Sequence, residues 1–178
     1  MAVINVKSVM MGGIVCLMLQ GLVGCGLTQT VTDGTVAVTQ SIFHKQVKTL
    51  RLDFSARSAL NTTDAQTPLS TVVRVYQLKD NKAFERASYT DLLKGDSEAL
   101  KADRLTQRDI RVAPKGSVSL DMPMEKAARF VGVVGLFHTP DATNNSWRLV
   151  IRRDELDADK PRTIELGSGT LTLNAVKE

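Results

Sequence analysis

The stretch VKTLRLDF, residues 47–54, alternates apolar and polar side chains along its length. In an extended chain successive side chains point to opposite faces, so Leu50, Leu52 and Phe54 lie on one face. This pattern is typical of a strand that buries one face and exposes the other to solvent. It therefore predicts a β-sheet with a core on one side.

Similar short apolar or alternating segments recur along the chain on both sides of this stretch. They predict further strands at residues 35–38, 70–78, 108–112, 117–122, 129–137, 147–151, 163–166 and 169–176. Short strands separated by polar turns are typical of two antiparallel sheets packed face to face. The sequence thus predicts a mainly all-β fold, an antiparallel two-sheet β-sandwich. Gly132 and Gly135, within an apolar strand, indicate a bulge or a close approach of another group.

Residues 88–105, SYTDLLKGDSEALKADRL, break the strand pattern. Ser88 or Thr90 suits the N-cap of a first short helix, Gly95 its end, and Asp96 or Ser97 the cap of a second. We therefore expect a two-piece helical insertion packed on one edge of the sandwich, where it would protect that edge from pairing with other strands.

The first 24 residues have the composition of a secretory signal peptide. Lys7 is their single charge, and residues 9–24 are apolar or small apart from Gln20. Such a run is too short for a comfortable transmembrane helix, which needs about 20 mainly apolar residues. The sequence Leu22-Val23-Gly24-Cys25 resembles the lipobox of bacterial lipoproteins, in which the chain is cut before a cysteine that carries the lipid. We therefore expect residues 1–24 to be removed and Cys25 to be lipidated.

Cleavage before Cys25 has two further consequences. It removes Cys16, the other cysteine, so no disulfide is expected in the mature chain. With several acyl chains on Cys25, attachment to a membrane would be stable. Gly26 stands where an Asp would retain a bacterial lipoprotein at the inner membrane, so the resemblance implies sorting to the outer membrane.

The mature chain has the size of one domain. Residues 25–34 are small and polar and are interpreted as the lipidated N-terminus with a flexible tether, and residues 35–178 as a single sandwich domain. Removing Lys7 from the 23 basic residues leaves 22 against 19 acidic ones, and aromatic residues make up 4% of the chain. This mild, dispersed charge with few stacking side chains argues against a nucleic-acid partner.

The sequence contains few residues suited to catalysis or metal binding. His44 and His138 are its only histidines, and none of the common nucleophile, phosphate-binding or zinc motifs is present. We therefore expect no enzyme activity, no metal and no cofactor other than the lipid on Cys25. A hydrolase would need a cluster around His44 or His138. A second alternative is a periplasmic lipoprotein that binds a sugar or peptide, which would need an aromatic-lined concave site, for example around Trp147.

Two loops are candidates for recognition, because loops on a rigid sandwich commonly carry binding residues. Residues 55–69 are long for a hairpin connection, and Leu60 forms an apolar tip in an otherwise polar run. Residues 139–146 are shorter and polar.

A family resemblance is carried by residues 59–78. Ala59-Leu60-Asn61, Asp64, Pro68 and the strand VVRVYQL, residues 72–78, look like the TssJ (VasD/Lip) family pattern, and weaker matches continue to Trp147-Arg148. This family is the outer-membrane lipoprotein of type VI secretion systems. Two departures lie in loops. A glycine usual before the proline of the first loop is replaced by Ala65-Gln66-Thr67, and Lys115 separates Pro114 from Gly116.

The resemblance implies a transthyretin-like β-sandwich with an added helical element. It also implies a non-catalytic subunit of the secretion membrane complex that lies on the periplasmic side, is anchored in the outer membrane and binds the periplasmic C-terminal region of the inner-membrane protein TssM. No small-molecule substrate is implied. The family's partner-binding loop corresponds here to Leu60, Asn61, Thr62, Thr63, Asp64, Ala65 and Gln66.

Overall fold

The structure, a computed structural model, describes residues 46–175. The predicted signal peptide, Cys25, the tether and the predicted strand at residues 35–38 lie outside the described residues. The described residues belong to one compact unit. Whether the domain begins at residue 35, as the sequence predicts, stays a prediction.

Eight strands form two four-stranded sheets, which confirms the predicted sandwich. The strands are β1 (Thr49–Ala56), β2 (Thr71–Leu78), β3 (Arg104–Val112), β4 (Ser117–Pro123), β5 (Phe130–Leu136), β6 (Arg148–Arg152), β7 (Arg162–Leu166) and β8 (Leu171–Leu173). The first sheet has the order β4-β1-β7-β8 and the second β3-β2-β5-β6. Their inner faces share one apolar core, to which Leu52 and Phe54 of the first sheet and Val73 and Val75 of the second contribute.

The pairing differs from the prediction in one respect. β1 pairs with β7 in parallel, with Leu52 opposite Arg162 and Ala56 opposite Leu166, so the first sheet is mixed and not wholly antiparallel. Strand direction is set by how distant segments meet, and the alternation of side chains is the same in both cases. Two strand lengths also differ, since β3 begins at Arg104 and not at residue 108, and β8 is shorter than residues 169–176.

The helical insertion is present, but it begins earlier than predicted. It contains α1 (Lys82–Arg86), which the sequence analysis missed, α2 (Tyr89–Leu93) and a 3₁₀ turn at Glu98–Leu100. Ser88 caps α2 in a reciprocal capping box with Asp91, as expected for one of the two candidate caps. Leu105 belongs to β3 and not to the insertion.

The insertion covers the outer face of the second sheet, and the predicted packing on a sheet edge is wrong. Phe84 of α1 lies edge-on to Tyr76 of the central strand β2, with ring centroids 5.9 Å apart. A Cβ atom at Gly132, on the neighbouring central strand β5, would lie 2.8 Å from the Phe84 ring. Gly132 is therefore needed for close approach of an aromatic ring. The covered face also explains why nearly every residue of β2 is buried.

Two arginines, the buried Arg74 and the half-buried Arg148, hold the short helices against this sheet. The guanidinium of Arg74 makes a bidentate ion pair with Asp109, at 2.8 Å for each bond, and Nη1 donates to the carbonyl groups of Leu92, Leu93 and Lys94 at the end of α2. The bond to Asp109 raises the pKa of Arg74. A helix leaves its last carbonyl groups without helical partners, so one planar cation satisfies several at once.

Arg148 of β6 acts in the same way on α1. Its Nη1 donates to the carbonyl groups of Phe84 and Ala87, at 2.8 and 2.7 Å, and its Nη2 donates to that of Glu85. Its guanidinium also stacks over the ring of Trp147, 4.8 Å from the ring centre. Arg148 is therefore a structural residue that fixes the position of α1.

Candidate partner-binding loops

Four connections meet at one end of the sandwich. The strand directions place the β1–β2 loop, the β3–β4 turn, the β5–β6 loop and the β7–β8 turn at this end. The chain enters β1 at the opposite end, where the insertion and the β4–β5 and β6–β7 connections also begin and end. We call the end with these four connections the loop end, and the opposite end, where the chain enters β1, the entry end.

The β1–β2 loop, residues 57–70, is held by hydrogen bonds within itself. Leu69 N donates to the carbonyl of Leu60 at 3.2 Å, which closes the base of the loop. At the tip, Thr63 N donates to the carbonyl of Thr67 and Gln66 N to that of Thr63, at 3.0 and 2.9 Å. Residues 64–70 are exposed. The loop therefore presents a backbone of fixed shape to solvent.

The base of this loop is buried, which corrects the expected apolar tip. Leu60 is 0% exposed and belongs to the core, and Asn61 is 5% exposed. The side-chain oxygen of Asn61 accepts a 2.6 Å bond from His138 N. Leu60 and Asn61, two of the seven predicted contact residues, therefore support the loop from beneath, while Asp64, Ala65 and Gln66 are exposed and Thr62 and Thr63 half-buried.

The exposed apolar side chain of the loop is Leu69, which lies next to the base of the loop and is 37% exposed. The sequence analysis did not single it out. Leu69 is in phase with Thr71 and Val73, which face the core, so the alternating pattern offers no signal that Leu69 is exposed. The exposure of Leu69 is seen only in the structure, in which its N–H bonds to the carbonyl of Leu60 where the loop turns back.

Both departures from the family pattern fall on left-handed backbone. Gln66 has φ 59° and Lys115 has φ 59°. Lys115 follows Pro114 in a turn in which Gly116 N donates to the carbonyl of Ala113 at 2.8 Å. Such turns favour glycine at the left-handed position. At both positions this chain adopts left-handed backbone with a residue other than glycine, at a steric cost.

The neighbouring loops are tied to the first. The hydroxyl groups of Thr62 and Ser168 share a 2.8 Å hydrogen bond, which joins the β1–β2 loop to the β7–β8 turn. Asp141 N donates to the carbonyl of Gly169 at 3.1 Å, which joins the β5–β6 loop to the same turn. The loop end is thus one cross-linked surface.

Asp141 also organises the β5–β6 loop internally. Its carboxylate accepts bonds from the Ser146 hydroxyl at 2.5 Å, from the side-chain amide of Asn144 at 3.2 Å, and from the backbone N–H groups of Thr143 and Asn144. The bonds from Ser146 and Asn144 hold the pKa of Asp141 below its usual range.

The structure offers little support for the alternative sites. Trp147 is 2% exposed and packs edge-on against Tyr89, with ring centroids 5.0 Å apart, so its ring is not free to line a ligand cavity. His138 lies exposed at the end of β5, and His44 lies outside the described residues. Within residues 46–175 no three His, Cys, Asp or Glu side chains are grouped so that they could hold a metal ion.

The described part of the chain has no helix long and apolar enough to cross a membrane. Cys25, the predicted lipid attachment site, lies outside this part, so its lipidation stays a prediction.

Comparison with known proteins identifies the family. Residues 48–169 match the family model described as type VI secretion lipoprotein, VasD, EvfM, TssJ, VC_A0113. No curated protein sequence matches the chain.

Solved structures agree with this match. One chain, in a structure described as "T6SS protein TssM C-terminal domain (869-1107) from EAEC", is 48% identical, with a TM-score of 0.68, and covers 73% of this chain and 100% of its own. A second, in a structure described as "Type VI membrane complex", is 52% identical with a TM-score of 0.70 and the same coverage. Lip of Serratia marcescens, at 17% identity, TM-score 0.65 and coverage of 74% and 100%, shares the fold. The chain belongs to the TssJ family of type VI secretion lipoproteins.

Proposed function

We propose that this lipoprotein is anchored in the outer membrane through lipid on Cys25 and binds the periplasmic C-terminal region of TssM through its loop end. The carrying observation is the 48% identity with a chain whose structure is described by the TssM C-terminal domain. The 52% identity with a chain of a type VI membrane complex supports the same assembly. The protein acts as a docking subunit, and we assign no catalytic step, metal or small-molecule substrate to it.

The geometry of the loop end suits such a role. Residues 64–70 project from a loop whose base is locked by Leu60 and Asn61. A surface that is already ordered before binding loses little conformational entropy when a partner docks. The same loop exposes the apolar Leu69 and the polar Asp64 and Gln66, the mixture of side chains that a protein interface commonly uses.

The two proposed tasks, membrane attachment and TssM binding, belong to opposite ends of the sandwich. The chain arrives from Cys25 at the entry end, and the loop end lies at the far side of the strands. The membrane attachment therefore leaves the loops accessible to a protein that crosses the periplasm.

A paired substitution tests the loop. Ala65→Arg combined with Leu69→Asp changes two exposed residues without touching the buried base, and we expect at least a tenfold loss of affinity for the TssM C-terminal region, since central contact residues commonly contribute about 1–2 kcal/mol each. The measurement is a calorimetric titration of residues 26–178 with that region. The matched chains of the solved relatives are covered over their full length by 73% of this chain, so residues 26–178 are long enough to contain the whole shared domain.

A matched control places equivalent changes on the exposed outer face of the first sheet. Ser119→Arg and Thr172→Asp should leave the affinity unchanged. If the loop variant keeps its unfolding midpoint and still binds TssM as tightly as the control, residues 64–69 are not part of the interface.

A further inference from the structure

The entry end of the sandwich carries a group of cations that is distinct from the loop end. Lys48 directly precedes β1, and its carbonyl accepts a bond from Met124 N at 2.9 Å, which places the β4–β5 connection beside it. Arg129, at the end of that connection, donates its N–H to the carbonyl of Leu78, next to Lys79. Three separate segments therefore bring basic side chains to one end.

Arg153 holds these segments together. Its Nη1 donates to the carbonyl groups of Glu125, Lys126 and Ala128, at 3.0, 3.2 and 2.9 Å, and its Nη2 to that of Val47 at 2.9 Å. Its backbone N–H donates to the carbonyl of Arg129. All these acceptors are neutral carbonyl groups, so they leave the charge of Arg153 without a counter-charge.

The exposed cations around this residue have no ion pairs in the described structure. Lys48, Lys79, Lys126 and Arg129 are exposed, and none of them takes part in a salt bridge seen among residues 46–175. We call these four residues the entry-end cations.

Acidic side chains also lie near this end. Asp80 pairs with Lys82, and Asp154 pairs with Arg152. Asp103, whose carbonyl accepts the N–H of Lys79, lies close by, as do Glu125 and Glu155, and the β6–β7 connection carries Asp157 and Asp159 next to Lys160. No salt bridge seen among residues 46–175 joins any of these carboxylates to the entry-end cations.

We propose that the entry-end cations form a docking face for anionic phospholipid headgroups of the membrane that holds the lipid anchor. The proposal rests on the proposed anchoring at Cys25. The chain that leads from Cys25 enters β1 at this end of the domain. The proposed anchor is therefore connected to the domain on the same side as the entry-end cations.

The anchor makes even a weak attraction effective. Basic residues near an anionic lipid surface are each attracted to it, and a tether converts binding into an intramolecular step with a high local concentration. Docking by the entry end would turn the loop end away from the membrane and toward TssM. The face therefore sets the orientation of the domain as well as its attachment.

The test measures vesicle binding by residues 26–178, which lack the lipid. We expect this domain to sediment at low ionic strength with vesicles of phosphatidylglycerol and phosphatidylethanolamine but not with phosphatidylcholine vesicles. The variant K48Q/K79Q/K126Q/R129Q should lower the partition coefficient at least tenfold. The control K94Q/R108Q/R111Q/K115Q removes the same charge from exposed cations elsewhere and should retain binding.

Three results would overturn the proposal. These are absence of binding by the parent domain to anionic vesicles, an equal loss in both variants, or loss of TssM affinity in the entry-end variant while vesicle binding persists. Because the domain lacks Cys25, none of these results depends on the anchor. Failure of the proposed function would instead appear as absence of TssM binding or of lipid on Cys25.

Discussion

At the scale of single residues, the loop end depends on a few positions that hold an uncommon backbone. Asn61, Gln66, Lys115 and Asn145 all have positive φ. Asparagine tolerates this region comparatively well, whereas glutamine and lysine do so at a cost. Gln66 and Lys115 are therefore sites at which a glycine would relieve strain.

Replacing Gln66 by glycine should stabilise the domain. At φ 59° the relief of the left-handed penalty, about 1–2 kcal/mol, outweighs the extra unfolded-state entropy of glycine, and we expect a net gain of about 0.5–1 kcal/mol in the free energy of unfolding. Urea denaturation of residues 26–178 measures it.

Ala65→Gly is the matched control, because Ala65 is exposed in the same tip and is not among the residues with positive φ. It should destabilise the domain by about 0.5 kcal/mol. A loss of stability in the Gln66→Gly variant equal to that of the control would contradict the account of strain.

At the scale of elements, the insertion and the second sheet depend on each other. α1 and α2 have five residues each, too few for an isolated helix to be stable. Arg74 and Arg148 supply cations to their last carbonyl groups, and Tyr89 donates its hydroxyl to the carbonyl of Phe137 at 2.6 Å. The two helices are therefore stabilised by their contacts with the second sheet and not by their own hydrogen bonds alone.

Gly132→Ala should loosen this packing. The added methyl group would lie 2.8 Å from the Phe84 ring, and overpacking of this kind costs about 1–3 kcal/mol. Removing the ring with Phe84→Leu costs stability by itself, but the double variant should be more stable than the sum of the two losses predicts, by about 1 kcal/mol.

Urea denaturation of the four proteins in this cycle gives the coupling between the two sites. Strictly additive losses would show that the ring of Phe84 is not the group that excludes a side chain at position 132.

At the scale of the whole molecule, the sandwich separates its two ends by the length of its strands. The loop end carries the proposed TssM contact, and the entry end continues toward Cys25. The described residues belong to one compact unit with a shared apolar core. Changes at one end should therefore leave binding at the other unaffected.

Cys25→Ser tests this separation. In cells that lack TssM, the variant should lose the mass of the lipid and leave the membrane fraction after a high-salt wash, because a lipid anchor resists salt whereas headgroup attraction does not. Its domain should keep the same affinity for the TssM C-terminal region. Mass spectrometry, fractionation and calorimetry measure the three quantities. Retention in the washed membrane fraction, or a changed TssM affinity, would contradict the assignment of separate tasks.

The alternation of side chains by itself determined most of the strands. Leu50, Leu52 and Phe54 face the core as the pattern predicts, and all eight observed strands overlap predicted ones. Burial of one face of a strand requires apolar residues at alternate positions, and this alternation is visible in the sequence. The N-cap at Ser88 is local in the same sense, and the sequence indicated it as one of two candidates, Ser88 or Thr90.

Tertiary structure alone decided what depends on distant neighbours. The parallel pairing of β1 with β7, the burial of Leu60, the exposure of Leu69 and the placement of the insertion on a face all follow from contacts between remote segments. The family pattern indicated which loop to examine. Only the folded chain shows that Leu60 and Asn61 support this loop from the core side, since burial is a property of the surroundings and not of the residue.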